Sequence, residues 1–312
     1  PSIETDESLG NYNGPVRLRT ALVNDYLATA SQLINQLGVD TALTTAHQLG
    51  ALTVKNHAVQ IDDLPEQGNL QRFLSEPASL LGMAQAFATL GHQGLAVGQE
   101  LPAAGSSGAT ALQPYAVLRV EDIQRQVILD WSTPVEQTVL SPQLAYLLNH
   151  TLSDEVARWS SLGHPNPFEI GRPAAAKAGL TLDQQDAWAI GYTPQRLVGV
   201  WVGNPDPEST IPLSAPAASA LWHAVIQYSL RGLPAEGWSA PLGISEVQVC
   251  DPSGLLPTVY CPLVVTEVFL NGSEPTQVDN LYQLFQINRE TGRLATVFTR
   301  PELIEEKVFM IV

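Results

Sequence analysis

Three apolar segments in the middle of the chain decide the fold: GRPAAAKAGLT at 171–181, DAWAIGYTP at 186–194 and RLVGVWVGN at 196–204. Each is short, is rich in alanine, valine, isoleucine or tryptophan, and is bounded by glycine or proline. Short apolar runs between turn-forming residues are typical of strands, and short turns join neighbouring antiparallel strands. The pattern therefore predicts three adjacent antiparallel strands.

Helical patterns lie on both sides of these strands. Apolar residues recur at helical spacing over 16–37, 40–49, 77–90, 141–159 and 217–230. That spacing places apolar side chains on one helix face. Shorter strand-like runs lie at 116–120 and 126–131. Helices before and after a central antiparallel sheet predict an α+β domain.

A segment rich in proline and glycine, GLPAEGWSAPLG at 232–243, marks the clearest domain boundary. Beyond it lie four strand-like runs, at 245–250, 264–270, 281–287 and 305–312, with NRETG at 288–292 as a hairpin turn. The sequence thus predicts a main domain over 1–232, a linker over 233–243 and a small β-rich C-terminal extension over 244–312.

The composition excludes several classes of protein. The chain has 312 residues, 45% of them hydrophobic, which is enough to form a sizeable core and excludes general disorder. Its net charge of −16 repels phosphate backbones, so no nucleic-acid partner is expected. A long charge-free run, 210–230, contains two prolines and is not a membrane span. Because residue 1 is proline rather than methionine, we expect the chain to be a piece of a longer protein.

The two cysteines, Cys250 and Cys261, lie eleven positions apart around a turn rich in proline and glycine. They form either a disulfide, contributing roughly 3 kcal/mol through loop closure, or two free thiols, and the spacing leaves both open. The six histidines are scattered along the chain, so no metal site is expected, and no cofactor is expected either.

The central segments resemble the Lys-Thr-Gly-Thr strand and the DAW…GYTP…GVWVG hairpin of the penicillin-binding transpeptidases, especially the class A bifunctional type. Other stretches resemble further parts of the same family in the same order: YNGPVRLRTAL at 12–22, the helix at 77–94, and CDPSGLLPTVYC at 250–261 followed by EPT at 274–276. The resemblance covers nearly the whole chain. It implies the penicillin-binding-protein/β-lactamase-like transpeptidase fold, a bacterial source, and a place outside the cytoplasmic membrane in a protein anchored there.

The resemblance also implies chemistry: the family transfers acyl groups through a serine ester in peptidoglycan synthesis. A Ser-x-x-Lys motif supplies the nucleophile, a Ser-x-Asn motif relays protons and holds the substrate amide, and a Lys-Thr-Gly strand pairs with the peptide stem. The strand's lysine adds positive potential, and its hydroxyl groups bind the substrate's terminal carboxylate.

This sequence departs from all three motifs. The residues three positions before its only lysines, Lys55, Lys177 and Lys307, are Leu52, Ala174 and Ile304, so no Ser-x-x-Lys is present. The Ser-x-Asn position is Asp25-Tyr26-Leu27, where Asp25 can accept a proton but cannot be a hydroxyl relay, and Leu27 offers no amide.

The third motif keeps Lys177 and Gly179 but has Ala178 and Leu180 where the family has hydroxyl residues. We expect Lys177 to lie in the groove and Asp25 to be a helix-surface carboxylate without a role. The aromatic residues of the central segments are expected to pack in the core or on the sheet rather than bind sugar: Trp188, Tyr192 and Trp201.

Three hypotheses for function follow, and they leave enzymatic activity open. The first is a pseudoenzyme, a transpeptidase-like domain kept as a binding or scaffolding module for a peptidoglycan stem peptide or an envelope protein. The second is a fragment of an active D,D-transpeptidase whose Ser-x-x-Lys lobe lies upstream. The third is a structural subunit of a larger envelope assembly.

Overall fold

The computed structural model describes residues 14–52, 72–73, 76, 78–99, 112–181, 184–203 and 212–311. These residues form two compact units. One spans 22–241, and the other combines 14–21 with 242–311. The finer division of the chain at 233–243 stays a prediction.

The described helices include α1 (Leu18–Val23), α2 (Leu27–Leu37), α3 (Val39–Gln48), α4 (Leu80–Gly91), α5 (Pro142–Leu152), α6 (Glu155–Leu162) and α7 (Ala215–Ser229). The strands of the larger unit are β1 (Leu95–Gly98), β2 (Arg119–Glu121), β3 (Val127–Asp130), β4 (Val135–Thr138), β5 (Ala175–Leu180), β6 (Asp186–Tyr192) and β7 (Leu197–Gly203). Those of the smaller unit are β8 (Ile244–Cys250), β9 (Val264–Leu270), β10 (Tyr282–Asn288) and β11 (Ile304–Met310).

The central sheet has the order β5–β6–β7, and both of its strand pairs are antiparallel. Ala178 lies opposite Ala189, and Trp188 lies opposite Trp201. The remaining strands form antiparallel pairs, β1 with β4, β2 with β3, β8 with β9 and β10 with β11. The three adjacent central strands and the α+β class predicted from the sequence are confirmed.

Helix α7 packs on one face of the central sheet. The side chain of Trp222 is fully buried there among small strand residues, which include Ala176, Ala187 and Ala189. A Cβ on Gly191 would lie 2.7 Å from the Trp222 Cε2 atom, so the indole ring needs glycine at this position. The run of alanines and glycines in the three segments thus allows a large ring to lie close to the strands.

The opposite face of the sheet is held by buried hydrogen bonds. The Tyr192 hydroxyl donates to Asn149 Oδ1 at 2.7 Å, and Asn149 Nδ2 donates to the Leu90 carbonyl at 2.7 Å. Burial raises the pKa of the Tyr192 phenol well above its usual value. Trp238 donates to the Gly91 carbonyl at 2.8 Å, which joins the segment after α7 to the end of α4.

Two predicted helices are each divided in the structure. The pattern over 16–37 becomes α1 and α2 because Asp25 adopts a left-handed backbone, with φ of 57°. The pattern over 141–159 becomes α5 and α6 because Asp154 caps the second helix, its Oδ1 accepting from Ala157 N at 3.0 Å. Helix α4 begins at Leu80, after its cap Ser79, and the predicted start at 77 lies outside the described residues.

In the smaller unit, the four predicted strands are present as β8 to β11. A disulfide joins Cys250 and Cys261, whose Cα atoms are 5.8 Å apart, so the bridge rather than two free thiols is the arrangement present. Residues 14–21 belong to the same unit through two arginines. Arg17 pairs with Asp251 and Glu267, and Arg19 pairs with Glu267.

Candidate functional site

Lys177 and Asp25, 152 positions apart in the chain, form an ion pair. The Lys177 ammonium donates to Asp25 Oδ1. The lysine side chain is 19% exposed and the aspartate side chain 56% exposed, so the pair lies at the edge of the solvent. Asp25 was expected on a helix surface, but it lies in the turn between α1 and α2, where its carboxylate is the partner of the motif lysine.

The turn between α1 and α2 holds Asp25 in place. The preceding residue, Asn24, is buried, and its Nδ2 donates to the Ala157 carbonyl at 2.7 Å. Ser160 donates to Asn24 Oδ1 at 2.8 Å, so both ends of the amide are bound to α6. These hydrogen bonds fix the left-handed turn at Asp25, a conformation that aspartate tolerates better than most residues.

Strand β5 presents Lys177 and Gly179 on the face that carries Asp25. Ala176 and Ala178 alternate with them and pack toward α7 on the other face. Leu180, the other hydroxyl position of the motif, is partly exposed at the end of the strand. Of the third-motif residues, the structure therefore brings only Lys177 to the second-motif turn by a side-chain contact.

The second motif's amide position contributes little. Leu27 is the first residue of α2 and is partly buried. Its side chain has no hydrogen-bonding group, so it cannot hold a substrate amide as asparagine would. The motif positions Asp25, Leu27 and Lys177 together offer one carboxylate and one ammonium.

The loop that leads into β5 is organised around Glu169. Its carboxylate accepts from Trp159 Nε1 at 2.9 Å and Asn166 Nδ2 at 2.7 Å, and it lies 3.0 Å from His164 Nδ1. Desolvation raises the pKa of Glu169, but the hydrogen bonds from His164 and Trp159 outweigh it and lower that pKa overall. Nothing in the spacing of these residues had indicated this cluster, whose role is to shape the loop.

Asn24 and Ser160 were not predicted to be positioning residues. The sequence gives only a slight signal for them: Asn24 interrupts an apparently continuous helical pattern, and its burial is seen only in the structure. In the described part of the chain, no three His, Cys, Asp or Glu side chains are grouped so as to hold a metal ion. Every helix there is too short or too polar to span a bilayer.

Comparison with known proteins supports the resemblance seen in the motifs. The family model described as "Penicillin-binding protein 1A, C-terminal domain" matches residues 240–284. A penicillin-binding protein 1A of Clostridium perfringens is 28% identical over 290 residues, which are 89% of this chain and 32% of that protein. One from Vibrio cholerae is 23% identical over 85% of this chain and 35% of that protein. The chain thus spans about a third of the length of these curated relatives.

Solved structures agree on the fold. A penicillin-binding protein 1A from Haemophilus influenzae has a TM-score of 0.65 at 20% identity, covering 86% of this chain and 42% of that one. The penicillin-binding protein PonA1 from Mycobacterium tuberculosis has a TM-score of 0.56 at 22% identity, covering 82% of this chain and 66% of that one. The predicted resemblance to a class A penicillin-binding protein, and the predicted fold, are confirmed.

Proposed function

We propose that this relative of penicillin-binding protein 1A is a peptidoglycan-directed binding module, a transpeptidase fold that holds stem peptides and does not transfer acyl groups. We place it on the outer face of the cytoplasmic membrane, as its relationship implies. The observation that carries the proposal is the ion pair between Lys177 and Asp25.

The ion pair removes two functions that transpeptidation requires. A hydroxyl at position 25 would pass a proton between the nucleophile and the leaving amine, whereas a carboxylate already bonded to an ammonium has no hydroxyl proton to relay. The Lys177 charge, which would attract the substrate's terminal carboxylate, is compensated by Asp25. Acyl transfer at this position is therefore disfavoured.

The first motif points in the same direction. No lysine of the chain has a serine three positions before it, so the printed sequence contains no Ser-x-x-Lys nucleophile. The groups that would bind the carboxylate are also changed, since Ala178 packs toward the core and Leu180 is aliphatic. A charged carboxylate that loses such hydrogen bonds binds less well by about 1–3 kcal/mol per bond.

Binding of a peptide through its main chain needs less than catalysis, and the strand edge that such binding would use is present. Among the described residues, β5 pairs with β6 alone and its outer edge is unpaired. An extended peptide can add to such an edge through main-chain hydrogen bonds. Gly179 has no side chain to obstruct it, and the Lys177–Asp25 pair offers both a donor and an acceptor beside it.

A second candidate is favoured by one observation: the chain spans about a third of the length of its curated relatives. It would then be part of an active D,D-transpeptidase whose nucleophile lies upstream. The two candidates differ in whether the full-length protein reacts covalently with a penicillin.

The test is to incubate the full-length polypeptide with benzylpenicillin and to measure its intact mass, with an active class A protein as a positive control. We expect no adduct, and a stoichiometric mass increase would overturn the proposal in favour of the second candidate. In parallel, binding of a D-Ala-D-Ala stem pentapeptide is measured by calorimetry. We expect Lys177→Ala to weaken binding and Lys307→Ala, a lysine of the smaller unit, to leave it unchanged.

A further inference from the structure

The aromatic residues of the central sheet have different environments. Tyr192 is 1% exposed and belongs to the core, as expected for a packing residue. Trp201 is 51% exposed, although it lies in the middle of a strand of the same sheet. Trp188 lies directly opposite Trp201, with 6.4 Å between their ring centroids. Tyr192 therefore packs in the core, whereas for the half-exposed Trp201 the choice between packing on the sheet and binding a sugar stays a prediction.

The two indoles lie on the same sheet face as the Lys177–Asp25 pair. Ala187 and Ala189 point toward α7, so Trp188 between them points to the other face. Val200 and Val202 likewise pack toward α7, which places Trp201 beside Trp188. Strand pairing aligns Gly179, Trp188 and Trp201 in one row across the sheet. That row is two residues, or about 7 Å, from Lys177 along β5.

The orientation of the Trp201 ring is fixed. Its Nε1 donates to Asp186 Oδ1 at 2.9 Å. The ring lies over Gly203, where a Cβ would be 2.8 Å from the indole Cη2 atom. Because the polar atom of the indole is already bonded, the exposed part of the side chain is its apolar ring.

Helix α4 packs on the neighbouring row of this face. Its first residue, Leu80, lies close to Gly199: a Cβ added to Gly199 would be 3.1 Å from the Leu80 Cδ1 atom. Gly199 pairs with Ile190, which pairs with Lys177. The row that contains Trp188 and Trp201 is the next one along the strands.

We infer that Trp201 and Trp188 form a binding site for a pyranose ring of a glycan strand. A flat apolar ring held rigidly at half exposure matches the C–H face of a sugar, and the Asp186 carboxylate at its edge accepts hydrogen bonds from hydroxyl groups. A nucleobase is the other common flat ligand, but the chain's net charge of −16 opposes nucleic acid. The inference rests on the proposed function in one respect: it takes the glycan to be the one that carries the stem peptide.

The test compares three ligands by calorimetry on the full-length protein: a muramyl disaccharide–tetrapeptide, the same tetrapeptide without sugar, and tri-N-acetylchitotriose. We expect the disaccharide–peptide to bind about fivefold more tightly than the peptide, in line with a single aromatic stacking contact. Trp201→Leu should abolish that difference, and Trp201→Phe, which keeps an aromatic ring, should retain most of it. Circular dichroism verifies that the variants fold.

Each outcome has a distinct meaning. Equal affinity of the peptide with and without sugar would overturn the inference and leave the proposed function standing. A similar loss for both ligands in Trp201→Leu would also overturn it, because the indole would then contact the peptide. Chitotriose binding that needs Trp201, without peptide binding, would support the sugar site and refute the proposed function. Failure of all three ligands to bind would overturn both.

Discussion

Asp25 accepts a hydrogen bond from the Lys177 ammonium, so a carboxylate at the second motif neutralises the lysine of the third. The backbone of Asp25 is left-handed, with φ of 57°, and the neighbouring Asn24 is bonded to α6. The ion pair therefore depends on a turn that is fixed independently of it. This allows the charge to be removed by substitution without disturbing the backbone.

Replacing Asp25 by asparagine is expected to strengthen the binding of a stem peptide that ends in a carboxylate. Asparagine also tolerates a left-handed backbone, so the turn should persist while the Lys177 charge is freed. Because the pair lies at the edge of the solvent, we expect a modest gain of about fivefold at low salt, decreasing in 0.5 M salt. Calorimetry at two salt concentrations measures it. Glu136→Gln, an exposed change on β4, is the control, and an equal gain there would refute the explanation.

Substitution of Gly191 by alanine is expected to destabilise the larger unit by about 2–3 kcal/mol, because the new methyl group would overlap the buried Trp222 ring. The matched control is Gly179→Ala, where the nearest atom to the new methyl group is 3.7 Å away. That change should alter stability by less than about 0.5 kcal/mol. All six tryptophans lie within 22–241, so their fluorescence during urea unfolding reports on this unit. Similar losses in the two variants would contradict the packing argument.

The hydrogen bond between Tyr192 and Asn149 predicts non-additive effects. Asn149→Ala removes the buried acceptor of the Tyr192 hydroxyl and the donor to the Leu90 carbonyl, and should cost about 2–3 kcal/mol. Tyr192→Phe leaves only the Asn149 oxygen without its donor and should cost less, about 1–2 kcal/mol. The double variant should be less destabilised than the sum, as measured by urea unfolding. Strict additivity would mean that the two side chains are not coupled.

Acid should weaken the smaller unit at Glu267. Its burial raises the pKa of the carboxyl, but hydrogen bonding and charge from Arg19, with Arg17, lower it overall. A carboxyl whose pKa is lower in the folded state stabilises the fold at pH values above its unfolded pKa, which is about 4.3 for glutamate. That contribution is lost as the pH falls from there through the folded value.

The corresponding experiment is hydrogen exchange of peptides from β9 at pH 6 and in the acid range, converted to protection factors. The protection factors of the wild type should decline in acid. Glu267→Gln should be destabilised by about 2–4 kcal/mol at pH 6, and its protection factors should depend less on pH. Glu246→Gln, on the neighbouring strand β8, is the control. A wild-type decline that persists unchanged in Glu267→Gln would assign the acid sensitivity to other groups.

Local sequence patterns predicted most of the described strands, although no run was assigned to β1 or β4. The segments around Lys177, Trp188 and Trp201 are short, apolar and bounded by glycine or proline, and the structure has a strand at each. Helix ends were predicted less well, because apolar periodicity continues through Asn24 and Asp154 although both helices break there. The first break is fixed by the hydrogen bond from Asn24 to the Ala157 carbonyl, and the second by the Asp154 carboxylate that caps α6. The spacing of apolar residues carries no information about either contact.

The candidate site shows the same limit. Both Asp25 and Lys177 were singled out from the motifs, yet their contact depends on 152 intervening residues folding so that a turn meets a strand. The half-exposed Trp201 was beyond sequence reasoning for a similar reason. An aromatic residue in an apolar strand is usually covered, and whether a helix covers a given row of the sheet is a property of the tertiary structure.

The pairing of Arg17 and Arg19 with Glu267 has a consequence for how such proteins are built. A segment grafted from residue 240 onward onto another protein would carry Glu267 without its two cations, which lie more than 240 positions earlier. Such a graft would leave the Glu267 carboxylate without its cations and should be less stable than a unit that also contains residues 14–21.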